Sequence, residues 1–398
     1  MKITDLATWV VANPPPHKGG PCWVFLKLTT DTGIAGYGEV YGVPFGPQRV
    51  AGLIEDVFER HVAGWDPFRI ERLWRTVYAS GYNQHPDFTV IGVLSGIEIA
   101  CWDIVGKALG QPIYNLLGGK VHERLRSYTY LYPGPVAGAP PSGRATSVQM
   151  DPVAAPARAA AYADQGFTAV KLDPVHHMSV LDPHQLSLHE LDNTELVVRN
   201  VREAVGRRCD LLIGTHGQMT AAAAIRLAKR LEPFDPLWFE EPVPPENRAE
   251  MALVARGTSI PVATGERLAT KYEYAELLNR QAAAILQPAL ARVGGILEAK
   301  KIAGMAEAHY VHVAPHLYAG PIEAAANIQL ATCSPNFLIQ ESIETFGGFY
   351  AELLSRPIRW QDGYIIPPDG PGLGVELNEQ VAARHAYEAS EVFPRTAD

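Results

Sequence analysis

Side chains that bind cations or transfer protons stand where apolar runs of this sequence end. In chain order they are Lys171, Asp173, His216, Glu240, Glu266, His316 and Glu341. Carboxylates that converge from neighbouring strands form the oxygen-rich kind of site that Mg²⁺ prefers. A Lys or His beside such an ion can remove a proton next to a carboxylate, while the metal stabilises the resulting ene-diolate. These residue types therefore predict proton abstraction from a carboxylic acid at a divalent metal.

Short apolar or β-branched runs that would carry these groups recur eight times from about residue 126. They begin near Arg126, Ala169, Asp210, Leu237, Val262, Ala284, Val311 and Phe337. Helical spacing is clear between them, for example at 220–231 and 295–308. Continuously apolar strands that alternate with helices are typical of a parallel sheet buried on both faces. The pattern predicts an α/β barrel of the TIM type, whose chemistry lies at the carboxyl ends of the strands.

Two further regions flank this pattern, and the chain is predicted to divide into 1–125, 126–355 and 356–398. The first contains a strand–turn–strand pattern with its turn at 31–33, followed by helical segments, so we expect an α+β capping domain. The last is too rich in proline and glycine over 363–377 for a helix there, and we expect it to return to the cap.

A long segment after the second strand, 176–192, is predicted to be a loop, which favours a lid over the substrate. It contains four histidines, namely His176, His177, His184 and His189. Their spacing is irregular and the segment is polar, so we interpret them as solvated side chains and not as a metal cluster.

The composition excludes several classes of protein. The chain has 398 residues and a formal net charge of −9 with scattered basic residues, which argues against a nucleic-acid partner. It shows neither a run of ~18 apolar residues nor a signal-peptide pattern, so we expect a cytoplasmic protein with no membrane partner. The four cysteines lie far apart without a CxxC pair, which fits a reducing compartment and excludes a disulfide framework.

The order and spacing of several motifs resemble the enolase superfamily, in its mandelate racemase-like branch, over nearly the whole chain. These motifs are ACWDIVGKALGQPIYNLLGG at 100–119, WFEEP at 238–242, ATGER at 263–267, RVGGILEAKKIAGMAEA at 292–308 and PPDGPGLGVE at 367–376. THG at 215–217 and APHLYAGPIE at 314–323 resemble the acid-sugar dehydratases of the galactonate and mannonate type. The resemblance implies a TIM-like (β/α)7β barrel, with an α+β N-terminal capping domain that the C-terminal tail completes.

The resemblance also implies roles for individual residues. Glu240 and Glu266 would bind Mg²⁺, His316 would take the α-proton, His216 would protonate the departing β-hydroxyl, and Glu341 would be a catalytic group that contacts the substrate. In the cap, four residues would help to close loops over the sugar acid: His17, Tyr82, Asn83 and His85. Relatives of this kind commonly assemble as homo-oligomers, so a dimer or an octamer is expected.

Two positions depart from the pattern of this family. Gly214 stands where the family has a metal-binding Asp, and Ala289 stands where it has the Asp partner of the strand-seven His. Asp173 is the favoured third metal ligand because it restores the anionic charge, and His216 is the alternative ligand. The role of the base could likewise move from His316 to Lys171, if a nearby cation lowered the pKa of the lysine.

The same residues could also have purely structural roles. Each strand-end group could serve an ordinary ion pair or a backbone contact, and Glu241 and Arg267 are expected to form a structural ion pair. The turn at 292–295 resembles a phosphate cradle but is interpreted as a loop that starts a helix.

Three functions remain open at this point. The first is a Mg²⁺-dependent hydro-lyase that converts a sugar acid to a 2-keto-3-deoxy acid. The second is a racemase or epimerase, which would use Lys171 and His316 as bases on opposite faces of the same enolate. The third is a non-catalytic relative that binds a sugar acid, which Gly214 and Ala289 make plausible.

Overall fold

The N-terminal region is a three-stranded antiparallel sheet covered by helices. The computed structural model describes residues 1–82, 84–133, 146–175 and 184–388. The elements of this region are β1 (Ile3–Ala12), β2 (Cys22–Thr30), β3 (Ala35–Val40), α1 (Pro47–Val57), α2 (Ile70–Tyr78), α3 (Phe88–Leu109) and α4 (Ile113–Leu116), with a π-helical turn at Phe58–Val62 and a 3₁₀ turn at Ser80–Tyr82. The strands pair in the order β1-β2-β3, and Gly33, with φ 81°, makes the predicted turn between β2 and β3.

Helix α3 is the core helix of this cap. Asp87 caps its start by accepting hydrogen bonds from the backbone of Thr89 and Val90. A Cβ at Gly38 of β3 would lie 1.9 Å from the carbonyl oxygen of Gly96, so these two glycines let the helix lie directly on the sheet. Among the described residues α3 is the one helix long and apolar enough to cross a membrane, and 78% of its apolar window is buried inside the protein.

The rest of the chain is built on eight parallel strands. They are β4 (Leu125–Tyr130), β5 (Ala169–Leu172), β6 (Asp210–Gly214), β7 (Trp238–Glu240), β8 (Val262–Thr264), β9 (Ile285–Leu286), β10 (His312–Val313) and β11 (Gln340–Ser342). Neighbours pair in sequence order from β4 to β10, and β11 pairs with β4. Val313 of β10 also pairs in parallel with Phe337, just before β11, and this contact closes the ring. The predicted (β/α)7β barrel is confirmed.

The interior of the ring is a small core with one side chain in or next to each of the eight strands. Its members are Tyr128, Ala169, Leu212, Trp238, Ala263, Ile285, Ala314 and Ile339. Bulky rings stand beside alanines, which fills the barrel and leaves no pore through it. Chemistry is therefore confined to the strand ends.

Seven crossovers connect these strands and cover the ring. Their helices are α5 (Thr146–Gln149), α6 (Ala154–Asp164), α7 (Leu188–Val205), α8 (Ala221–Leu231), α9 (Arg248–Gly257), α10 (Thr270–Asn279), α11 (Leu290–Val293), α12 (Ile296–Ala308) and α13 (Pro321–Thr332), with a 3₁₀ turn at Glu232–Phe234. The helices expected at 220–231 and 295–308 are confirmed as α8 and α12.

The loop predicted for 176–192 is wrong at its end, because α7 already begins at Leu188. Ser187 accepts a hydrogen bond from the backbone of Glu190, whose side chain accepts one from the backbone of Ser187 in return. This capping box starts the helix. His189 lies on α7 and is exposed, His184 lies just before it, and His176 and His177 fall outside the described residues.

The C-terminal tail contacts both the cap and the barrel. Its elements are α14 (Phe349–Glu352), β12 (Arg359–Gln361), β13 (Tyr364–Ile366) and α15 (Glu379–Arg384). Strand β13 pairs antiparallel with β4 of the barrel. The backbone N–H of Tyr387 then donates to the carbonyl of Val10 in β1, so the tail does return to the cap.

Buried carboxylates of the cap bind the starts of barrel helices. Glu98 of α3 accepts hydrogen bonds from the backbone of Ile296 (2.7 Å) and Leu297 (2.9 Å), the first residues of α12. A Cβ at Gly295 would lie 2.0 Å from Glu98 Oε2, so the turn at 292–295 holds a protein carboxylate and starts a helix, as interpreted. These contacts set the position of the cap over the strand ends.

Candidate active site

Seven of the predicted site residues lie at the carboxyl ends of the barrel strands. We call Lys171, Asp173, His216, Glu240, Glu266, His316 and Glu341 the strand-end cluster. Because β6 and β10 are four strands apart in a ring of eight, His216 and His316 follow strands on opposite sides of the barrel. The strands that carry Glu240 and Glu266 lie between them.

Lys171 forms a buried ion pair at one side of the cluster. Its side chain is 0% exposed, its Nζ donates a hydrogen bond to Glu240 Oε1, and Glu341 Oε1 lies 3.8 Å from the same nitrogen. Burial alone would lower the pKa of Lys171, but Glu240 and Glu341 outweigh burial and raise it. The lysine is therefore an ammonium, which is the opposite of what a catalytic base at this position requires.

His316 has the properties of a base. It is buried, and burial lowers its pKa to about 4, so the imidazole is neutral near pH 7. Its Nε2 lies 3.6 Å from Glu266 Oε2, towards the cluster. Its Nδ1 is buried with no hydrogen-bond partner among the described residues, as expected where Ala289 replaces an Asp.

His216 has the properties of an acid. It stands in a left-handed turn with φ 52°, and its Nδ1 donates to Asp173 Oδ2 at 2.9 Å. The Asp173 charge raises the pKa of His216 to about 10, so the imidazole carries a proton near pH 7. Its side chain is 43% exposed, which leaves the ring open to solvent or to a ligand.

Asp173 fills the space that the missing side chain at Gly214 leaves. The parallel register sets Leu172 beside Ile213, so Asp173 and Gly214 are neighbours on adjacent strands. A Cβ at Gly214 would lie 2.0 Å from Asp173 Oδ1 and 3.3 Å from Lys171 Cε. An Asp at 214 and the present Asp173 therefore exclude one another.

The donor set as arranged does not fit a Mg²⁺ ion. In the part of the chain that the structure describes, no three His, Cys, Asp or Glu side chains are placed to hold a metal. Glu240 Oε1 already accepts from Lys171, and its Oε2 accepts from Trp238 Nε1 (3.0 Å) and Gln287 Nε2 (2.7 Å). Glu266 Oε2 is the one carboxylate oxygen of the predicted ligand trio that is buried without a hydrogen bond within the described ranges.

Next to this cluster, Glu241 and Arg267 form the expected structural ion pair. Glu241 Oε2 accepts from the guanidinium at 2.7 Å. Burial raises the pKa of Glu241 to about 7, and its backbone carbonyl accepts from Gly217 in the turn that carries His216. The pair therefore braces that turn.

The four predicted cap residues are placed differently. His17 donates a hydrogen bond from Nδ1 to the carbonyl of Asn13. The segment around it packs on the loops that follow β10 and β11. Lys18 in this segment pairs with Glu344, after β11, at 2.6 Å. Tyr82 and His85 are exposed, and within the described ranges the structure shows neither in contact with the strand-end cluster. Asn83 lies outside the described residues.

Aromatic side chains complete the site, and the sequence prediction missed them. Tyr41, which follows cap strand β3, has its ring centroid 5.4 Å from that of His316. Tyr128, Tyr130 and Tyr132 alternate along and just beyond β4, and Tyr130 OH lies 3.5 Å from Asp173 Oδ1. The spacing of two along a strand, which sets side chains on one face, is the signal that would have found these three.

The eight-stranded barrel, its cap and a cluster of carboxylates and histidines at the strand ends define an enolase-like protein. The family description "Enolase C-terminal domain-like" matches residues 154–381, and "Mandelate racemase / muconate lactonizing enzyme, N-terminal domain" matches 18–118. The chain belongs to this mandelate racemase/muconate lactonizing enzyme family of the enolase superfamily, and it is an enzyme of that superfamily.

Individual relatives agree with this assignment over their full lengths. The chain is 36% identical to a D-galactonate dehydratase of Ralstonia nicotianae, over 98% of this chain and 96% of the relative. It is 37% identical to a D-galactonate dehydratase of Variovorax paradoxus, over 96% and 93%. A solved mandelate racemase/muconate lactonizing enzyme-like protein from Roseovarius sp. is 49% identical, with a TM-score of 0.94 over 99% of this chain and 98% of that one.

Proposed function

We propose that this protein is an acid-sugar dehydratase, a carbon–oxygen hydro-lyase. The observation that carries the proposal is the placement of His216 and His316 on opposite sides of the ring, with Lys171 and the buried carboxylates between them. An elimination needs both a base for the α-proton and an acid for the leaving hydroxyl, and two histidines in different environments provide this division of labour.

The reaction follows from these two side chains. His316 Nε2 takes the proton from the carbon next to the substrate carboxylate, and the C–H electron pair moves into the carboxylate as an ene-diolate. Collapse of the ene-diolate breaks the bond between the β-carbon and its hydroxyl, and His216 gives its proton to that hydroxyl, which leaves as water. The remaining enol takes up a proton at the β-carbon, releases its O–H proton to water and becomes a 2-keto-3-deoxy acid.

D-Galactonate is the first substrate to test, because the full-length relatives named above are D-galactonate dehydratases. We propose that Glu341 and the edges of the three tyrosines bind substrate hydroxyls. The loop residues His17, Tyr82, Asn83 and His85 stay predictions as substrate contacts, as do the homo-oligomeric state and the cytoplasmic location.

Mg²⁺ stays a prediction as the cofactor. Members of this superfamily use it to stabilise the ene-diolate, and Glu240, Glu266 and Asp173 are the ligands that the sequence predicts for it. The hydrogen bonds that already occupy Glu240 and Asp173 do not support this ligand set, so the steps above are assigned to protein side chains alone.

The racemase or epimerase is the second candidate, and the structure favours it less. That reaction needs a base on each face of the enolate, and Lys171 is held as an ammonium by Glu240. A non-catalytic sugar-acid-binding relative is the third candidate, and the same experiment separates all three.

The experiment measures release of 2-keto acid, and solvent-deuterium exchange at the α-carbon, over a panel of sugar acids. We expect the wild-type protein to show both, His316→Asn to lose both, and His216→Asn to keep exchange but lose elimination. His309→Asn, at the exposed C-terminal end of α12, is the matched control and should behave as the wild type. Exchange without elimination in the wild type would identify an epimerase, and binding without exchange would identify the non-catalytic relative.

A further inference from the structure

We propose that the Lys171 ammonium, and not a divalent cation, offsets part of the negative charge of Glu240 and Glu341 in this chain and provides the positive field for the carboxylate of the substrate. The substrate part of this proposal rests on the proposed function. The charge-balancing part concerns the protein alone and can be tested without any substrate.

The first support is the space at Gly214. In this chain a third carboxylate cannot enter from the end of β6, because Asp173 Oδ1 lies 2.0 Å from the position of a Cβ there. Asp173 itself accepts a hydrogen bond from His216 Nδ1 at 2.9 Å, which directs one of its oxygens towards an imidazole. In this arrangement Asp173 is therefore the partner of a histidine and is not directed towards a metal.

The second support is the environment of Glu240. Its carboxylate is surrounded by N–H donors: Lys171 Nζ on one oxygen, and the Trp238 indole and the Gln287 amide on the other. These donors are what a buried carboxylate needs if no metal shares its lone pairs. A Mg²⁺ ion at Glu240 would have to displace at least one of them.

The third support is the charge around Lys171. The ammonium is fully buried, and its neighbours Glu240 and Glu341 are each at most 2% exposed. The aromatic ring of Tyr130 lies below the nitrogen at 4.7 Å from the ring centroid, which adds a favourable cation–π contact. A buried cation between two buried carboxylates occupies the electrostatic position that a metal ion has in an oxygen-rich site.

With Lys171 in this role, protein side chains provide the positive charge, the base and the acid that the reaction needs. The ammonium is a fixed positive charge beside the carboxylate that gains electron density when His316 removes the α-proton, and it stabilises the ene-diolate without changing its own protonation. The α-proton goes to His316, and the departing hydroxyl receives its proton from His216, so the atoms balance as in the proposed reaction.

The test titrates MgCl₂ into EDTA-dialysed wild-type protein and follows melting temperature and heat of binding. We expect no saturable heat and no rise in melting temperature up to about 10 mM, whereas a site filled at about 100 times its Kd would raise it by about 3 °C. Stoichiometric binding of one Mg²⁺ per chain would overturn the proposal.

Variants provide a second, independent test. Lys171→Met removes the ammonium and leaves Glu240 and Glu341 free to bind a cation, so MgCl₂ should raise the melting temperature of this variant. Lys271→Met is the control, because Lys271 also pairs with a buried carboxylate, Glu298 at 3.0 Å, but lies outside the cluster, and it should gain no response. If Lys171→Met does not fold even with MgCl₂, the wild-type titration decides.

The two proposals can fail separately. If EDTA-treated protein turns over no sugar acid but also binds no Mg²⁺, the dehydratase proposal is wrong and the assignment of Lys171 stands. If turnover disappears with EDTA and returns with Mg²⁺, the dehydratase proposal stands and Lys171 is not the replacement cation.

Discussion

Steric exclusion between Gly214 and Asp173 gives a sharp test of the site geometry through the single change Gly214→Ala. The new Cβ would lie 2.0 Å from Asp173 Oδ1, so the carboxylate must move by about 1.4 Å to reach ordinary van der Waals contact, which begins at 3.4 Å. Asp173 is anchored to His216 Nδ1 at 2.9 Å, and such a movement lengthens this bond beyond the hydrogen-bonding range.

The free energy of the change can be estimated from its parts. Overpacking of a filled site costs about 1–3 kcal/mol, and loss of a hydrogen bond to a charged group costs about 1.5–3 kcal/mol. Because the His216 side chain is 43% exposed, water replaces part of the lost bond. An alanine also reduces the conformational entropy of the unfolded chain, which stabilises the protein by about 0.4–1 kcal/mol. This gain applies here because Gly214 does not have a left-handed conformation. The expected net destabilisation is about 2 kcal/mol.

Urea denaturation of four proteins checks this estimate: wild type, Gly214→Ala, Asp173→Ala and the double variant. In the Asp173→Ala background the added methyl group meets only the flexible Lys171 Cε, at 3.3 Å, so Gly214→Ala should be close to neutral, with a coupling free energy of about 2 kcal/mol. Gly304→Ala in α12 is the control; a Cβ there meets no atom within 4 Å, and it should stabilise by about 0.5–1 kcal/mol. If Gly214→Ala unfolds at the wild-type urea concentration while Asp173 is present, Asp173 does not occupy this space.

Further predictions concern pH and the cap. The rate should rise with pH through about 4, where His316 loses its proton and becomes a base, and fall with pH through about 10, where His216 loses the proton that it donates. Asp173→Asn should move the alkaline limb of the pH–rate profile to lower pH, and an unmoved limb would show that Asp173 does not set this pKa. Glu98→Ala should lower the free energy of unfolding, measured by urea denaturation, by about 3 kcal/mol. The change leaves the first backbone N–H groups of α12 buried and unpaired. The exposed Glu55→Ala should change little, and equal effects of the two would contradict the capping role.

Much of the fold was predictable because its signals are local. All eight strands begin within about three residues of their apolar runs, since a buried parallel strand needs a continuous apolar stretch. The early start of α7 was also present in the sequence as Ser187 and Glu190, a capping box inside a segment that otherwise looks like a loop. The pairing of β13 with β4 was not predictable, because short strands carry no local record of their partner.

The candidate site also has a part that the sequence predicts and a part that only the structure shows. Its strand-end residues could be named from the sequence, because strand order alone brings their positions to one face of a barrel. The contact of Tyr41 with His316 could not, because it joins the cap to the barrel across a long separation in sequence. Nor could the role of Glu98, which looks like any polar residue in an apolar helix until α12 is placed against it.

The amino-acid sequence by itself determined which side chains reach the strand ends, and it showed that Gly214 and Ala289 stand where the family pattern has carboxylates. Only the tertiary structure decided what those absences mean. Adjacent strands lie about 4.8 Å apart, so a side chain missing from one strand leaves room that its neighbour can enter. Packing and charge then select the occupant, and here Asp173 enters the space at Gly214 and binds His216, while Lys171 is left to pair with Glu240.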